Sequence, residues 1–352
     1  MESSQRTFLD RLLTAPGPSG YERTVQDVVR AYVAPFAHRV QTDYHGNVSV
    51  VINPDAPRRV MLAGHCDQIG MIVVHIDADG FVYAQPIGGW DPTQLVGQRM
   101  TIWGASGPVS AVISRKPIHL QTEDERKAVI KLKDLWLDIG ASSRDDAASV
   151  VAVGDPVTLE LGGRELRNGL LTGPAMDNRT GVWVVIEGAR RAAERGVTWA
   201  VHAVSTVAEE IGLRGAKTAA FHIDPEVGIA VDVTHATDCP TIDRRQEGEV
   251  SLGRGPVIYR GPNMSLAVTR RLVDLATGVP IPHQVSAIGR ATSNDANSIQ
   301  VNRGGVATGL VSIPNRYMHS AVETVSLSDL DHAAELLAEF LVSLRAADDF
   351  TP

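Results

Sequence analysis

The sequence predicts an α/β protein: a mostly parallel sheet flanked by helices, with a small β-rich, barrel-like domain inserted into it. Three observations carry this expectation. Strand-type and helix-type apolar patterns alternate over residues 1–69 and again over 164–352, as parallel strands joined by crossover helices require. Residues 70–163 instead hold short β-type runs punctuated by Gly- and Pro-containing turns, with little helical periodicity. Finally, 352 residues at 43% apolar and 21% charged describe a globular chain with ample core, not a disordered one.

In chain order, Ser19-Gly20-Tyr21-Glu22 reads as a capping box, Ser and Glu satisfying orphan backbone donors at a helix start. The helix it opens carries Val25, Val28, Val29 and Tyr32 at helical spacing and stops at Pro35. Strands follow at 47–52 and 59–63, separated by a Pro-Asp-Ala-Pro turn. In the β-rich block, runs at 71–76, 80–84, 99–103, 109–114, 128–132 and 156–161 alternate with turns such as Asp79-Gly80, Gly88-Gly89 and Gly162-Gly163. Beyond it, a helix after Asn178 presents Val182, Val185, Ile186 and Ala189 on one face. Strands at 198–206, 227–231 and 306–313 then interleave with helices at 264–277 and 295–301, and Ser328-Asp329 caps a terminal helix with Leu336, Phe340 and Leu344.

Composition removes several function classes. A formal charge of −8 disfavours nucleic acid, whose phosphates want a basic face. No apolar run approaches the roughly 18 residues of a membrane span, and Glu2, Arg6, Asp10 and Arg11 interrupt any signal-peptide core. Cys66 and Cys239 have no metal-type spacing and read as reduced thiols, which fits a cytoplasmic protein.

The chemistry concentrates at predicted strand ends, where open α/β sheets bind ligands. His65-Cys66-Asp67 follows the 59–63 strand, Glu209-Glu210 follows 198–206, Asp232 follows 227–231, and His319 lies beyond 306–313. Asp177 precedes a helix. Singly, each has a plainer reading: a hydrogen-bonded His, a solvated acidic pair, a turn residue, a helix N-cap. As a set, two His and three carboxylates suit Zn²⁺, Co²⁺ or Mn²⁺. Two cations about 3.5–4 Å apart need a carboxylate between them. One bridging Asp with two further ligands per ion uses five, the number available. Asp67, two residues beyond His65, can accept the second imidazole N–H and fix the tautomer. The carboxylates Glu209 and Glu210 sit within apolar flanks, where a charge needs a cation or a shared proton.

These same segments resemble the tetrahedral (TET-type) di-metal aminopeptidases, also labelled glutamyl aminopeptidase or endoglucanase-M-like. The likeness runs from Pro16-Gly17-Pro18-Ser19-Gly20 through Gly140-Ala141-Ser142-Ser143 and Met176-Asp177-Asn178-Arg179. It continues through Glu209-Glu210-Ile211-Gly212-Leu213-Arg214-Gly215-Ala216 and Asp232-Val233-Thr234-His235-Ala236 to Arg316-Tyr317-Met318-His319-Ser320. The resemblance implies that His65 and Asp232 bind one metal, Glu210 and His319 the other, and that Asp177 bridges them. It implies Glu209 as general base, Asp67 as the partner orienting His65, a cis peptide after Asp177, and an insertion domain used in oligomer assembly. Two departures stand out: Gln68 occupies a place where the family commonly has an acid, and the 289–297 segment is bulkier than the usual Gly/Thr-rich form.

The expected protein is thus a cytoplasmic metalloaminopeptidase acting on peptides, with two divalent ions per subunit (Zn²⁺ or Co²⁺ foremost, then Mn²⁺). It would self-associate, a tetrahedral dodecamer being the form the resemblance suggests. Two alternatives stay open: a deacylase or amidase using the same dinuclear site, and a non-catalytic assembly protein on this scaffold.

Overall fold

The computed structural model describes residues 1–352. Strands β1 (Arg39–Thr42), β2 (Val48–Ile52) and β3 (Arg59–His65) begin a sheet that the chain leaves and later rejoins. The excursion is β4 (Gly70–Ile76), β5 (Val82–Ile87), β6 (Arg99–Gly104), β7 (Gly107–Ser114), β8 (Trp136–Asp138) and β9 (Pro156–Leu159), which close into a barrel in the order β4-β5-β8-β7-β6-β9. After β10 (Arg164–Glu165) and β11 (Leu170–Thr172), the sheet is completed by β12 (Ala200–Thr206), β13 (Val227–His235), β14 (Val257–Arg260), β15 (Gln284–Ala287) and β16 (Ala307–Asn315). A last strand, β17 (Thr324–Ser326), pairs with β11.

The eight-stranded sheet runs β1-β2-β12-β3-β13-β16-β14-β15. Its centre, β12-β3-β13-β16, is parallel, and these strands are buried almost throughout, as expected of strands covered on both faces. The margins differ from the simplest parallel reading: β1-β2, β2-β12 and β14-β16 are antiparallel. One face packs against helices Ser3–Thr14, Arg23–Val33, Met176–Arg195, Leu266–Gly278 and Leu327–Ser343, the other against Arg214–Ile223 and Asp295–Gln300. The barrel has its own core, including Met71, Val73, Val82, Met100, Ile102, Ile113 and Val157.

Three local expectations are corrected. The Ser19–Glu22 capping box does not form: the helix starts at Arg23, Ser19 donates to Asp67 Oδ2 (2.6 Å), and Glu22 Oε1 accepts from Ala208 N–H (3.1 Å). Ser19 is drawn away to Asp67, while Glu22 keeps a local bond from Gly20 N–H (2.8 Å) and shares the same oxygen with Ala208. The 128–132 run is not a strand; Val129 is exposed, and the barrel takes its strand from Trp136–Asp138. Asp329 lies inside the terminal helix, and its carboxylate accepts from the Gly253 and Gly255 amides (2.7 Å each).

Candidate metal centre

His65 is the last residue of β3, in register with Thr206 at the end of β12. Glu209 and Glu210 follow β12 after Val207 and Ala208, Asp232 lies within β13, and His319 is on the loop between β16 and β17. Asp177 comes from the start of the Met176–Arg195 helix, where its backbone and that of Asn178 are not helical and their shared peptide is cis. That helix crosses β3 closely because Gly64 and Gly181 face one another: a Cβ on Gly64 would lie 2.8 Å from the Gly181 carbonyl carbon. Asn178 Nδ2 donates to the Val231 carbonyl (2.7 Å), tying the helix start beside Asp232.

The structure brings all the sequence-predicted residues together. His65 Nε2 lies 3.1 Å from Asp177 Oδ1, 3.6 Å from Asp232 Oδ1 and 3.8 Å from Glu209 Oε2. His319 Nε2 lies 3.3 Å from Asp177 Oδ2 and 3.4 Å from Glu210 Oε2. Asp177 therefore offers one oxygen to each imidazole. Two compact sets, His65–Glu209–Asp232 and His65–Asp177–Glu210, each keep their ligand atoms within 4.8 Å of one another. All these side chains are buried except His319, one-third exposed, so the centre opens to solvent on the His319 side.

Nothing cationic from the chain's lysines or arginines offsets this acidity, since the ion pairs of these carboxylates are with the two imidazoles alone. Burial, with Asp177 nearby, pushes the Glu210 carboxyl up to about 7. Burial also drives Glu209 well above the usual carboxylate range, with Asp232, Asp295 and Glu210 adding to it. Asp177 Oδ1 and Glu210 Oε1 are buried without a hydrogen-bond partner. Orphaned carboxylate oxygens converging with imidazole nitrogens are what a divalent cation site presents.

Asp67 does more than the sequence suggested. Fully buried, its Oδ1 accepts from Glu209 N–H (3.1 Å) and its Oδ2 from Glu210 N–H (3.2 Å) and the Ser19 hydroxyl (2.6 Å). His65 Nδ1 is 3.2 Å from the Asp67 backbone carbonyl and 3.5 Å from its carboxylate. Burial alone would raise the Asp67 carboxyl; His65, Ser19 and the Glu209 amide hold it below its ordinary value. Gln68 turns from the ligands and accepts from the buried Arg179 guanidinium (2.8 Å), so a neutral amide serves there.

Sequence reasoning missed other contributors. Glu323 accepts from both Asp177 N–H (3.1 Å) and His319 N–H (2.7 Å); its signal was a lone acid four residues past a candidate ligand, followed by a β-type run. Asp295 accepts from the Thr206 hydroxyl (2.6 Å) and sits in the segment noted only for its bulk. Two clefts of about 590 and 540 Å³ lie beside β1–β2 and between the Arg23–Val33 helix and the barrel; neither is lined by a candidate ligand.

Comparison with known proteins finds relatives along nearly the whole chain. A family model described as M42 glutamyl aminopeptidase matches residues 46–336. The chain is 37% identical over 350 residues to the lysyl aminopeptidase of Pyrococcus furiosus, covering 98% of this chain and 99% of that protein. Among solved structures it resembles the TET aminopeptidase of Thaumarchaeota archaeon SCGC AB-539-E09, with TM-score 0.93, 33% identity and 97% of each chain covered. It also resembles the Pyrococcus horikoshii TET1 peptidase, described as assembling into a tetrahedron or a large octahedral shell, with TM-score 0.86, 29% identity, and 97% and 100% covered. With the family match spanning most of its length, the chain belongs to the M42 glutamyl aminopeptidase family and is a hydrolase of the metallopeptidase class.

Proposed function

We propose that this protein removes N-terminal residues from peptides at a dinuclear metal centre. The observation that carries the reading is Asp177, with one carboxylate oxygen toward His65 and the other toward His319. His65 and Asp232 would hold one divalent ion and Glu210 and His319 the second, with Asp177 shared. The bound ions, Zn²⁺ or Co²⁺ foremost and Mn²⁺ next, supply Lewis-acid polarisation of the scissile carbonyl and acidification of water. Glu209 accepts the proton of the attacking water and returns it to the leaving amine. Its support is geometric and electrostatic: it lies farther from His65 Nε2 than Asp177 or Asp232 does, and burial raises its affinity for a proton. Asp67 fixes the backbone from which Glu209 and Glu210 project.

Domain boundaries at 69/70 and 163/164 place the barrel between the two parts of the catalytic unit, and we assign it to homo-oligomer assembly. The shells described for the Pyrococcus horikoshii relative support self-association. No helix is long and apolar enough to cross a membrane.

The test is a panel of aminoacyl-p-nitroanilides beside their N-acetylated equivalents, before and after chelation and with Zn²⁺, Co²⁺ or Mn²⁺ restored. Free-amine substrates should be cleaved, acetylated ones spared, and chelation should abolish turnover reversibly. Equal cleavage of blocked substrates would make it a deacylase or amidase; turnover surviving chelation would remove the metals from the account; no turnover on either would favour a non-catalytic assembly protein.

A further inference from the structure

The half of the centre nearest solvent is built partly from the barrel. His319 Nδ1 lies 2.9 Å from the carbonyl oxygen of Gly89, on the loop that follows β5. A carbonyl only accepts, so Nδ1 carries the proton and the neutral ring's lone pair is on Nε2. That nitrogen faces Asp177 Oδ2 and Glu210 Oε2. The loop is itself pinned: Trp90 Nε1 donates to the Gly70 carbonyl (2.7 Å). Gly88 (φ +78°) packs so closely that a Cβ there would stand 2.6 Å from Ile69 Cγ2 and 3.3 Å from Glu210 Oε2.

A second group grips the same residues from behind. Glu323 is 2% exposed. Its two carboxylate oxygens are divided between the His319 and Asp177 amides, joining segments far apart in sequence. His319 also holds a left-handed backbone (φ 61°) that a non-glycine residue rarely adopts, and such a conformation persists only where surrounding bonds impose it. The other half of the centre has no barrel partner at its ligand atoms: His65 Nδ1 turns to the Asp67 carbonyl, and Asp232 Oδ1 accepts from Val233 N–H (2.8 Å).

We propose that the Gly89 carbonyl and the Glu323 carboxylate are positioning groups for the His319–Asp177–Glu210 half of the centre, so that the barrel is a structural part of one cation site as well as a module for assembly. This rests on the dinuclear reading above. It makes the two sites unequal: disturbing the barrel loop weakens one cation and spares the other.

The experiment is equilibrium dialysis of chelator-stripped protein against graded Co²⁺, with bound metal per subunit measured directly and far-UV circular dichroism checking the fold. Gly88→Ala forces the loop away from Ile69 and Glu210. Gly140→Ala is its control, a barrel glycine with the same φ of +78° and nothing within 4 Å of the added Cβ. Glu323→Gln keeps the shape but sets an NH₂ against one of two backbone N–H donors, and it carries the test should Gly88→Ala fail to fold. Loss of an outer partner typically costs 10–100-fold in metal affinity. We expect that loss at one of two sites in Gly88→Ala, a loss greatest at the same site in Glu323→Gln, where the shared Asp177 passes a smaller effect to the other ion, and two unaltered sites in Gly140→Ala. Two unchanged sites in Glu323→Gln, or equal weakening of both, overturns the proposal while leaving the dinuclear reading intact. Wild-type protein binding fewer than two ions overturns both.

Discussion

Asp67→Asn puts the loop that carries Glu209 and Glu210 under a defined strain. The native carboxylate serves three donors, the Glu209 and Glu210 amides and the Ser19 hydroxyl, with no exposure to water. Asparagine offers one oxygen and one NH₂. With its oxygen toward Glu210 and Ser19, the NH₂ meets Glu209 N–H where 3.1 Å formerly separated donor from acceptor. A hydrogen bond to a charged group contributes about 1.5–3 kcal/mol, and a buried donor left unmatched costs about 1–3 more. Ending the burial of a charge offsets part of this, leaving a net loss of about 2–3 kcal/mol. The loop must also shift to part the two donors, and a displacement of about 1 Å in a catalytic group can cost about 10²-fold in rate. Urea unfolding of metal-loaded protein, with kcat and bound metal on the same samples, reads all three quantities. We expect reduced stability and kcat with both metals retained. Native stability with native kcat would refute the clamp. A fall in metal affinity with kcat per occupied site unchanged would show that Asp67 acts through His65 and not through the Glu209–Glu210 backbone.

Arg179 is fully buried, and its guanidinium donates to the Leu12, Ala15 and Gln68 oxygens, capping the end of the Ser3–Thr14 helix. Arg179→Met should cost about 2–4 kcal/mol in urea unfolding by stranding those acceptors; an unchanged midpoint would mean that water replaces the guanidinium. His202 is held down to about 4 by burial, with Arg59, His222 and Arg39 adding positive charge. The unfolded chain takes up its proton near 6.5 and the folded one only near 4, so stability falls as pH drops through that window and levels off below it. The difference corresponds to about 3 kcal/mol at most. His202→Gln should flatten the pH dependence of stability over that range relative to wild type; parallel curves would count against it.

The sequence made the parallel centre readable because strands buried on both faces are nearly continuous apolar runs, as at Val60–Ala63 and Val227–Val231. The barrel showed through its turns, whose glycines hold backbone angles that other residues avoid, as at Gly80 and Gly162. The candidate ligands were legible as a set because strand ends converge in space, whatever their separation in sequence. What was hidden depends on tertiary partners. Ser19 and Glu22 look like a capping box until Asp67, 48 residues on, takes the Ser19 hydroxyl. Glu323 offers only a weak local signal, a lone acid shortly after His319, since its meaning comes from Asp177 on another segment. The antiparallel margins were hidden for a similar reason: β14 is short and runs antiparallel to β16, with β15 parallel beside it, a choice of neighbour that local periodicity does not encode.

In the proposed mechanism Glu209 moves protons while Asp177, with four other residues, holds two ions. Bound metal per subunit and kcat for Glu209→Gln, measured on one preparation equilibrated with Co²⁺, test it most directly. The substitution keeps the side chain's shape and removes only its capacity to take a proton. We expect two ions per subunit and a kcat lowered by about 10²–10⁴-fold or more. One ion lost would make Glu209 a ligand, and two ions with undiminished turnover would place the base elsewhere; either result would overturn Glu209 as the general base.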